Sequence, residues 1–434
     1  LCKEEIMTGL MDMSDVKSFL KFDENGKVRD DLYNYKMIFS HDSKLQGICF
    51  NETTRSIVVN GPLPWNSDNG EWGYSDWTNL VMYINEKYGI YSTKKCQEAM
   101  YGVVSLTRKV NPIKTYVESF EWDKTPRIPD LLIKYLGAED TPYVRTVTVK
   151  TLVAAIARLY QPGVKFDNVL VLCGVQGIGK STLFSKLGMK WYSDSMTIGD
   201  MKDKTAAEKL RGVWIMELSE LAGLRKVEVE TVKAFISRCD DQYREPYATY
   251  VQTHPRACIL VGSTNTTDGF LRDITGNRRF WPVIVTGQAE SSVWDLTEHD
   301  IGQIWAEALY RYKEGETLYL PRNIEKIAYE QQSQAMETDP RLGMVGEYLE
   351  ATGQDKVCLM EIWCECFMRD RSLMKRRDAY ELEGILQQLG NWEVYKGNST
   401  GKTRIPGYGV QKTFVRKDSL TDQNYTYEKG QNYE

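Results

Sequence analysis

The stretch Gly174-Val175-Gln176-Gly177-Ile178-Gly179-Lys180-Ser181 decides how this chain is read. It fits the phosphate-cradling pattern G-x-x-x-x-G-K-[ST] at every position. Just before it, Asn168 to Cys173 is a short apolar run rich in branched residues, which predicts a buried strand. Just after it, Ser181 to Leu187 has helical spacing. A glycine-rich turn between strand and helix lets backbone N–H groups approach a phosphate closely, and the helix N-terminus adds partial positive charge. In such a loop Lys180 reaches the β- and γ-phosphates, and the Ser181 hydroxyl ligates Mg²⁺. Gly174, Gln176, Gly177, Ile178, Gly179, Lys180, Ser181 and Thr182 are therefore the candidate contacts to a nucleoside triphosphate. The bland alternative is a glycine-rich turn that binds nothing.

Hydrolysis needs more than a phosphate loop. A carboxylate must hold Mg²⁺, and another group must orient the attacking water. Gly212 to Glu217 reads as an apolar strand ending in a carboxylate, followed by Leu218, Ser219 and Glu220. Glu217 is the candidate for Mg²⁺ and Glu220 for the water, with the two roles exchangeable. Arg256 to Asn265 reads as another buried strand ending in polar residues, and Asn265 is placed to sense a γ-phosphate or to cap a turn. Arg278 and Arg279 then precede the aromatic run Phe280-Trp281-Pro282. An arginine offered to a neighbour's γ-phosphate stabilises charge in the transition state; an intramolecular ion pair is the alternative.

With 434 residues, the chain has room for about two to four domains. Its apolar share of 42% and charged share of 26% are those of an ordinary globular protein. No apolar run approaches the roughly 18 residues of a membrane span, and no signal peptide is evident. The chain opens on Leu1, which raises the expectation of a fragment of a longer protein or a trimmed one. Its nine cysteines form no C-x-x-C pair, and Cys358, Cys364 and Cys366 are the only cluster. With three histidines available, buried reduced thiols are expected rather than a zinc site. A net charge of −5 argues against a generally basic DNA-coating protein but allows a local basic groove.

Four regions separate by pattern. Residues 1–110 mix strand-like runs with a helix that starts near Ser75-Asp76, and they predict an accessory α/β domain. Trp65, Trp72 and Trp77 in it read as core or loop anchors, with a ligand platform as the alternative. Residues 111–165 predict a helical lead-in: Asn111-Pro112 opens a helix, and an amphipathic helix from Arg145 to Tyr160 stops at Gln161-Pro162-Gly163. Residues 166–335 carry the nucleotide chemistry and a helical extension with the apolar stripe Ile301, Ile304, Trp305, Ala308, Leu309 and Tyr312. Residues 340–434 predict three helices, a short strand at Trp392 to Tyr395, a glycine-rich turn from Gly397 to Gly409, and a strand from Gln411 to Val415. That is the outline of a winged helix. From Arg369 to Lys417 basic residues outnumber acidic ones by 11 to 5, the kind of surplus that phosphate contacts require. Lys402 and Arg404 are the candidate DNA contacts there; a solvated surface is the alternative.

The ordered set of motifs resembles the virulence-associated E family of prophages and mobile elements. The matching residues are Trp122 to Arg127, Pro162-Gly163, Gly174 to Ser181, Glu217 to Glu220, Arg244 to Tyr247, Gly262 to Asn265 and Gly276 to Pro282. The resemblance implies an α/β fold with a P-loop ATPase core of AAA+ type, similar to superfamily 3 helicases. It further implies ATP and Mg²⁺ as cofactors, a homo-oligomeric ring (a hexamer by preference) acting on DNA in replication, and the cytosol of a bacterial host. Lys180 and Ser181 would bind phosphate and Mg²⁺, Glu217 and Glu220 would support hydrolysis, Asn265 would be the first sensor, and Arg278 or Arg279 would act across the subunit interface. A hairpin between Tyr247 and His254 would project into the ring channel. Related helicases carry a Lys-His pair there; this chain has His254 followed by Pro255 and Arg256, so His254 and Arg256 are its candidate DNA contacts. Two other readings stay open: an ATP-switched DNA-binding module without unwinding activity, and the helicase part of a primase–helicase.

Overall fold

The computed structural model describes residues 16–67, 70–219, 226–244, 250–266, 277–335 and 341–417. Two compact units divide the chain, with the described residues up to Ala335 in one and those from Arg341 in the other.

The first unit begins with a small α/β layer. Asp31 caps the helix Leu32–His41 by accepting from the Asn34 amide at 3.0 Å. Strands β1 (Ile48–Asn51) and β2 (Ser56–Val59) pair antiparallel, and the two-residue β3 (Lys109–Val110) joins β1 in parallel. The helix Tyr74–Tyr88 starts where the capping residues predict, and it buries Leu80, Ile84 and Tyr88. Asp76 ties its first turn by accepting from the Gly73 amide and from the Trp65 indole, each at 2.9 Å. Trp65, Trp72 and Trp77 pack against this layer's core, as expected.

The rest of the unit is built on a parallel sheet. Its strands are β4 (Val169–Cys173), β5 (Tyr192–Ser193), β6 (Ile215–Leu218), β9 (Ile259–Thr264) and β10 (Phe280–Ile284). A separate antiparallel pair, β7 (Asp240–Tyr243) and β8 (Gln252–Pro255), precedes β9. The sheet order is β10-β4-β9-β6-β5, with every neighbour parallel. β4, β6 and β9 are buried throughout, as befits a sheet covered on both faces. From β4 the chain jumps to the far edge at β5, works back through β6 and β9, and then crosses to β10 on the other side of β4. A ligand site is expected outside the carboxyl ends of the strands at such a switch point.

The helix Pro142–Tyr160 departs from the amphipathic expectation. It is buried on nearly every face, running through the core that also takes Trp281 and the stripe Ile301 to Leu309. The periodicity misleads because two of its three charges, Lys150 and Arg158, are satisfied inside. Lys150 pairs with Glu316 and donates to Thr317, and Arg158 donates to the carbonyls of Cys258 and Phe166 at 2.7 Å each. Gly163 then ends the segment with φ of +85°.

The second unit contains the helix Arg341–Thr352, strand β11 (Lys356–Cys358), a helical segment over 359–366, the helix Arg376–Leu389, and strands β12 (Trp392–Val394), β13 (Lys402–Ile405) and β14 (Gly409–Arg416). β14 pairs antiparallel with β11, β12 and β13. The stretch expected as a glycine-rich turn therefore contains a strand of its own. Lys402 and Arg404 are exposed while Thr403 and Ile405 turn inward, and the pairing with β14 outweighs the flanking glycines. Val345, Leu349, Trp363, Leu382, Ile385 and Phe414 are among the residues that form this unit's core. Cys358 is buried, whereas Cys364 and Cys366 are only partly so.

Candidate nucleotide site

The glycine loop sits between β4 and the helix Lys180–Gly188, at the carboxyl edge of the sheet. Its glycines are there for geometric reasons. A Cβ on Gly174 would lie 2.1 Å from the Val285 carbonyl oxygen, and one on Gly179 would lie 2.3 Å from Val293 Cγ1. Gly177 and Gly179 take φ of +87° and +91°, where side chains are strained. Gln176 and Gly177 are exposed at the loop's crest, Ile178 and Thr182 are half-buried, and Ser181 is exposed in the helix's first turn.

Lys180 is buried, and its ammonium folds over the loop. Nζ donates to the carbonyls of Gly174 at 2.7 Å and Val175 at 2.8 Å, and to Asn265 Oδ1 at 3.2 Å. Burial depresses its pKa below the usual lysine value, opposed by Cys173 and the Glu217 carboxylate. Asn265 reaches this point because β9 lies between β4 and β6, and Asn265 directly follows its last residue. Glu217, in β6, is fully buried. Its Oε1 accepts from Ser181 Oγ at 2.7 Å and from Ser263 Oγ at 2.5 Å, and its Oε2 accepts from Tyr192 Oη at 2.5 Å. The Ser181 hydroxyl and the Glu217 carboxylate thus form a close pair of oxygen donors. That donor chemistry suits a hard divalent cation such as Mg²⁺.

Lys180, Ser181, Glu217 and Asn265 therefore meet in one place, although they span some eighty positions of sequence. Glu220 lies outside the described residues, as do Gly276 and the stretch 245–249 that includes Tyr247. The two arginines differ. Arg279 is held by Ser237, with Nε to Oγ at 2.9 Å, and lies 3.9 Å from Asp167. Arg278 is exposed.

Sequence reading misses Tyr192 and Ser263. Ser263 could have been found, since it stands two residues before Asn265 and period-two alternation puts both on one side of β9. Tyr192 leaves no such signal. It comes from a two-residue edge strand and reaches Glu217 only because β5 pairs with β6.

The antiparallel pair β7–β8 is a hairpin whose connecting residues are described only at Arg244, Tyr250 and Val251; the last two are highly exposed. The candidate DNA contacts His254 and Arg256 are both placed inside the protein at its base. His254 is buried, and its ring stacks on Tyr243 at 3.9 Å. Arg256 is bound bidentately by Asp241 at 2.9 and 2.7 Å and also donates to the Phe235 carbonyl at 2.8 Å. A guanidinium so engaged holds the hairpin's base together and is not presented to a strand of DNA. Lys402 and Arg404, in contrast, are both exposed, two residues apart on β13 and so on one face.

Fold and site together define a mixed α/β protein built on a parallel sheet, with a glycine loop and a buried carboxylate at the sheet's carboxyl edge. The chain belongs to the virulence-associated protein E-like domain family, whose model matches residues 117–337. No curated protein matches the chain. Among solved structures it is similar to the apo C-terminal region (305–718) of NrS-1, at 13% identity and a TM-score of 0.44 over 90% of this chain and 100% of that one. It is also similar to an A-form apo structure of the same region, at 13% identity and a TM-score of 0.44 over 85% and 96% of the two chains. No helix among the described residues is long and apolar enough to cross a membrane.

Proposed function

We propose that the chain is an ATP-hydrolysing DNA helicase of superfamily 3 type, working as a ring in the replication of a phage or mobile element. The observation that carries this reading is the convergence of Lys180, Ser181, Glu217 and Asn265 at the mouth of the parallel sheet. When ATP and Mg²⁺ bind, the cation supplies charge neutralisation for the phosphates. Lys180 exchanges its loop carbonyls for phosphate oxygens. Ser181 and Glu217 would hold the cation, and Asn265 would be the group to contact the terminal phosphate or the attacking water. Arg278 is the better cross-subunit finger, because Arg279 is engaged by Ser237 within its own chain. The strand order β10-β4-β9-β6-β5 supports the AAA+ reading by placing the Asn265 strand between the loop strand and the carboxylate strand.

The second unit's succession of helix, strand, two helical segments, strand and hairpin supports the winged-helix reading, with Lys402 and Arg404 on the hairpin as phosphate contacts. Purified protein is expected to separate a forked duplex with ATP and Mg²⁺, and Lys180→Ala to abolish that activity. Unwinding that persists in the variant overturns the site. The exposed pair on β13 also favours a second reading, a DNA-binding module switched by nucleotide. On that reading DNA binding survives Glu217→Gln, and no strand separation is seen with either protein.

A further inference from the structure

Glu217 is a fully buried carboxylate, and among the described residues no lysine or arginine forms an ion pair with it. The nearby Lys180 ammonium is spent on Gly174, Val175 and Asn265. Hydroxyls hold the carboxylate instead. Ser181 and Ser263 both donate to Oε1, while Tyr192 alone among them donates to Oε2. A carboxylate with one oxygen pinned has its rotation fixed, so the other oxygen faces a constant direction. Here that direction is the pair of hydroxyls Ser181 and Ser263.

Tyr192 is presented rigidly. The Trp214 amide donates to the Trp191 carbonyl at 2.8 Å, and Tyr192 stands in register with Ile215, two residues before Glu217. Gly188 lets the chain turn tightly enough for this, since a Cβ there would lie 2.7 Å from Tyr192 Cβ.

We propose that Tyr192 is a positioning residue for the divalent-cation site: its hydroxyl pins Glu217 Oε2 so that Oε1 is turned, with Ser181 Oγ, toward the cation. The inference rests on reading Ser181 and Glu217 as the cation pair. It assigns a role in metal binding to a residue outside every nucleotide motif of the chain. Partners that orient a metal's ligands from behind affect affinity by about 10–100-fold when removed.

The test compares wild type with Tyr192→Phe, which keeps the ring and deletes the donor. Mn²⁺ binding in the presence of ADP is followed by electron paramagnetic resonance, and ADP binding is measured separately in EDTA. The expected result is Mn²⁺ affinity about 10–100-fold weaker, with metal-free ADP affinity and the melting temperature close to wild type. In a Glu217→Gln background the same change should have no further effect on Mn²⁺. Equal or tighter Mn²⁺ binding by Tyr192→Phe overturns the role of Tyr192, as would a loss of the same size in the Glu217→Gln background. If wild type binds no Mn²⁺ with ADP, the cation pair itself falls, and the role of Tyr192 falls with it.

Discussion

Replacing Arg256 with alanine separates a structural role from a DNA contact. Its side chain is fully buried, and the Asp241 side chain beside it is only 6% exposed. The guanidinium makes two hydrogen bonds to Asp241 and one to the Phe235 carbonyl, and it lies 4.5 Å from the centre of the Phe235 ring. Removing it leaves the Asp241 carboxylate buried without its partner. Breaking one side of such a pair costs about 3–5 kcal/mol. At about 2 °C per kcal/mol for a body larger than 200 residues, the melting temperature of the first unit should fall by about 6–10 °C. Asp241→Ala should destabilise comparably, and the double variant should be less damaged than the sum, with a coupling of about 0.5–3 kcal/mol. Calorimetry or a fluorescence melt reads the stability, and anisotropy with a labelled single strand reads DNA binding. An Arg256→Ala protein that melts like wild type but has lost DNA affinity would refute the structural assignment.

Glu217→Gln keeps the carboxylate's shape and an acceptor for Ser181 and Ser263, while its amide forces the Tyr192 hydroxyl to accept. Nucleotide binding should survive, and phosphate release should fall about 10²-fold or more because the cation loses its carboxylate; near-normal turnover removes Glu217 from the mechanism. Burial pushes the Cys96 and Cys173 thiols up to about 12 from an ordinary value near 9. Both should resist iodoacetamide at pH 8.5 in the folded protein, and mass spectrometry should find them labelled only after unfolding. Because their folded values are raised, the stability they contribute is fully present below about pH 9 and is lost as pH climbs toward 12. A melting temperature that holds constant over that window contradicts the assignment. Changing Lys402 and Arg404 together to alanine should leave the fold intact, because both are exposed, and should lower the salt dependence of DNA binding by about one unit of log–log slope per residue. An unchanged slope places the phosphate contacts elsewhere.

The glycine loop, its flanking strand and helix, and the strand that carries Glu217 were legible in the sequence because each is a local pattern. Glycines where φ must be positive, branched residues where a strand is buried, and a lysine at the helix start all announce themselves within a few positions. The apolar stripe from Ile301 to Leu309 was legible for the same reason. The run Arg145 to Tyr160 reads as amphipathic, yet the helix Pro142–Tyr160 is buried on nearly every face, since a charged side chain satisfied inside looks in sequence like one in water.

The sequence by itself therefore determined the groups on offer: a glycine loop with a lysine at its end, an acid in a buried strand and arginines near an aromatic strand. Tertiary structure decided which of these groups meet. The order β10-β4-β9-β6-β5 brings Asn265 to Lys180 and Glu217 to Ser181, and strand order is a long-range property that no local window encodes. The separate β7–β8 pair turned Arg256 inward onto Asp241, and the pairing of β5 with β6 delivered Tyr192 from the sheet edge to the buried carboxylate.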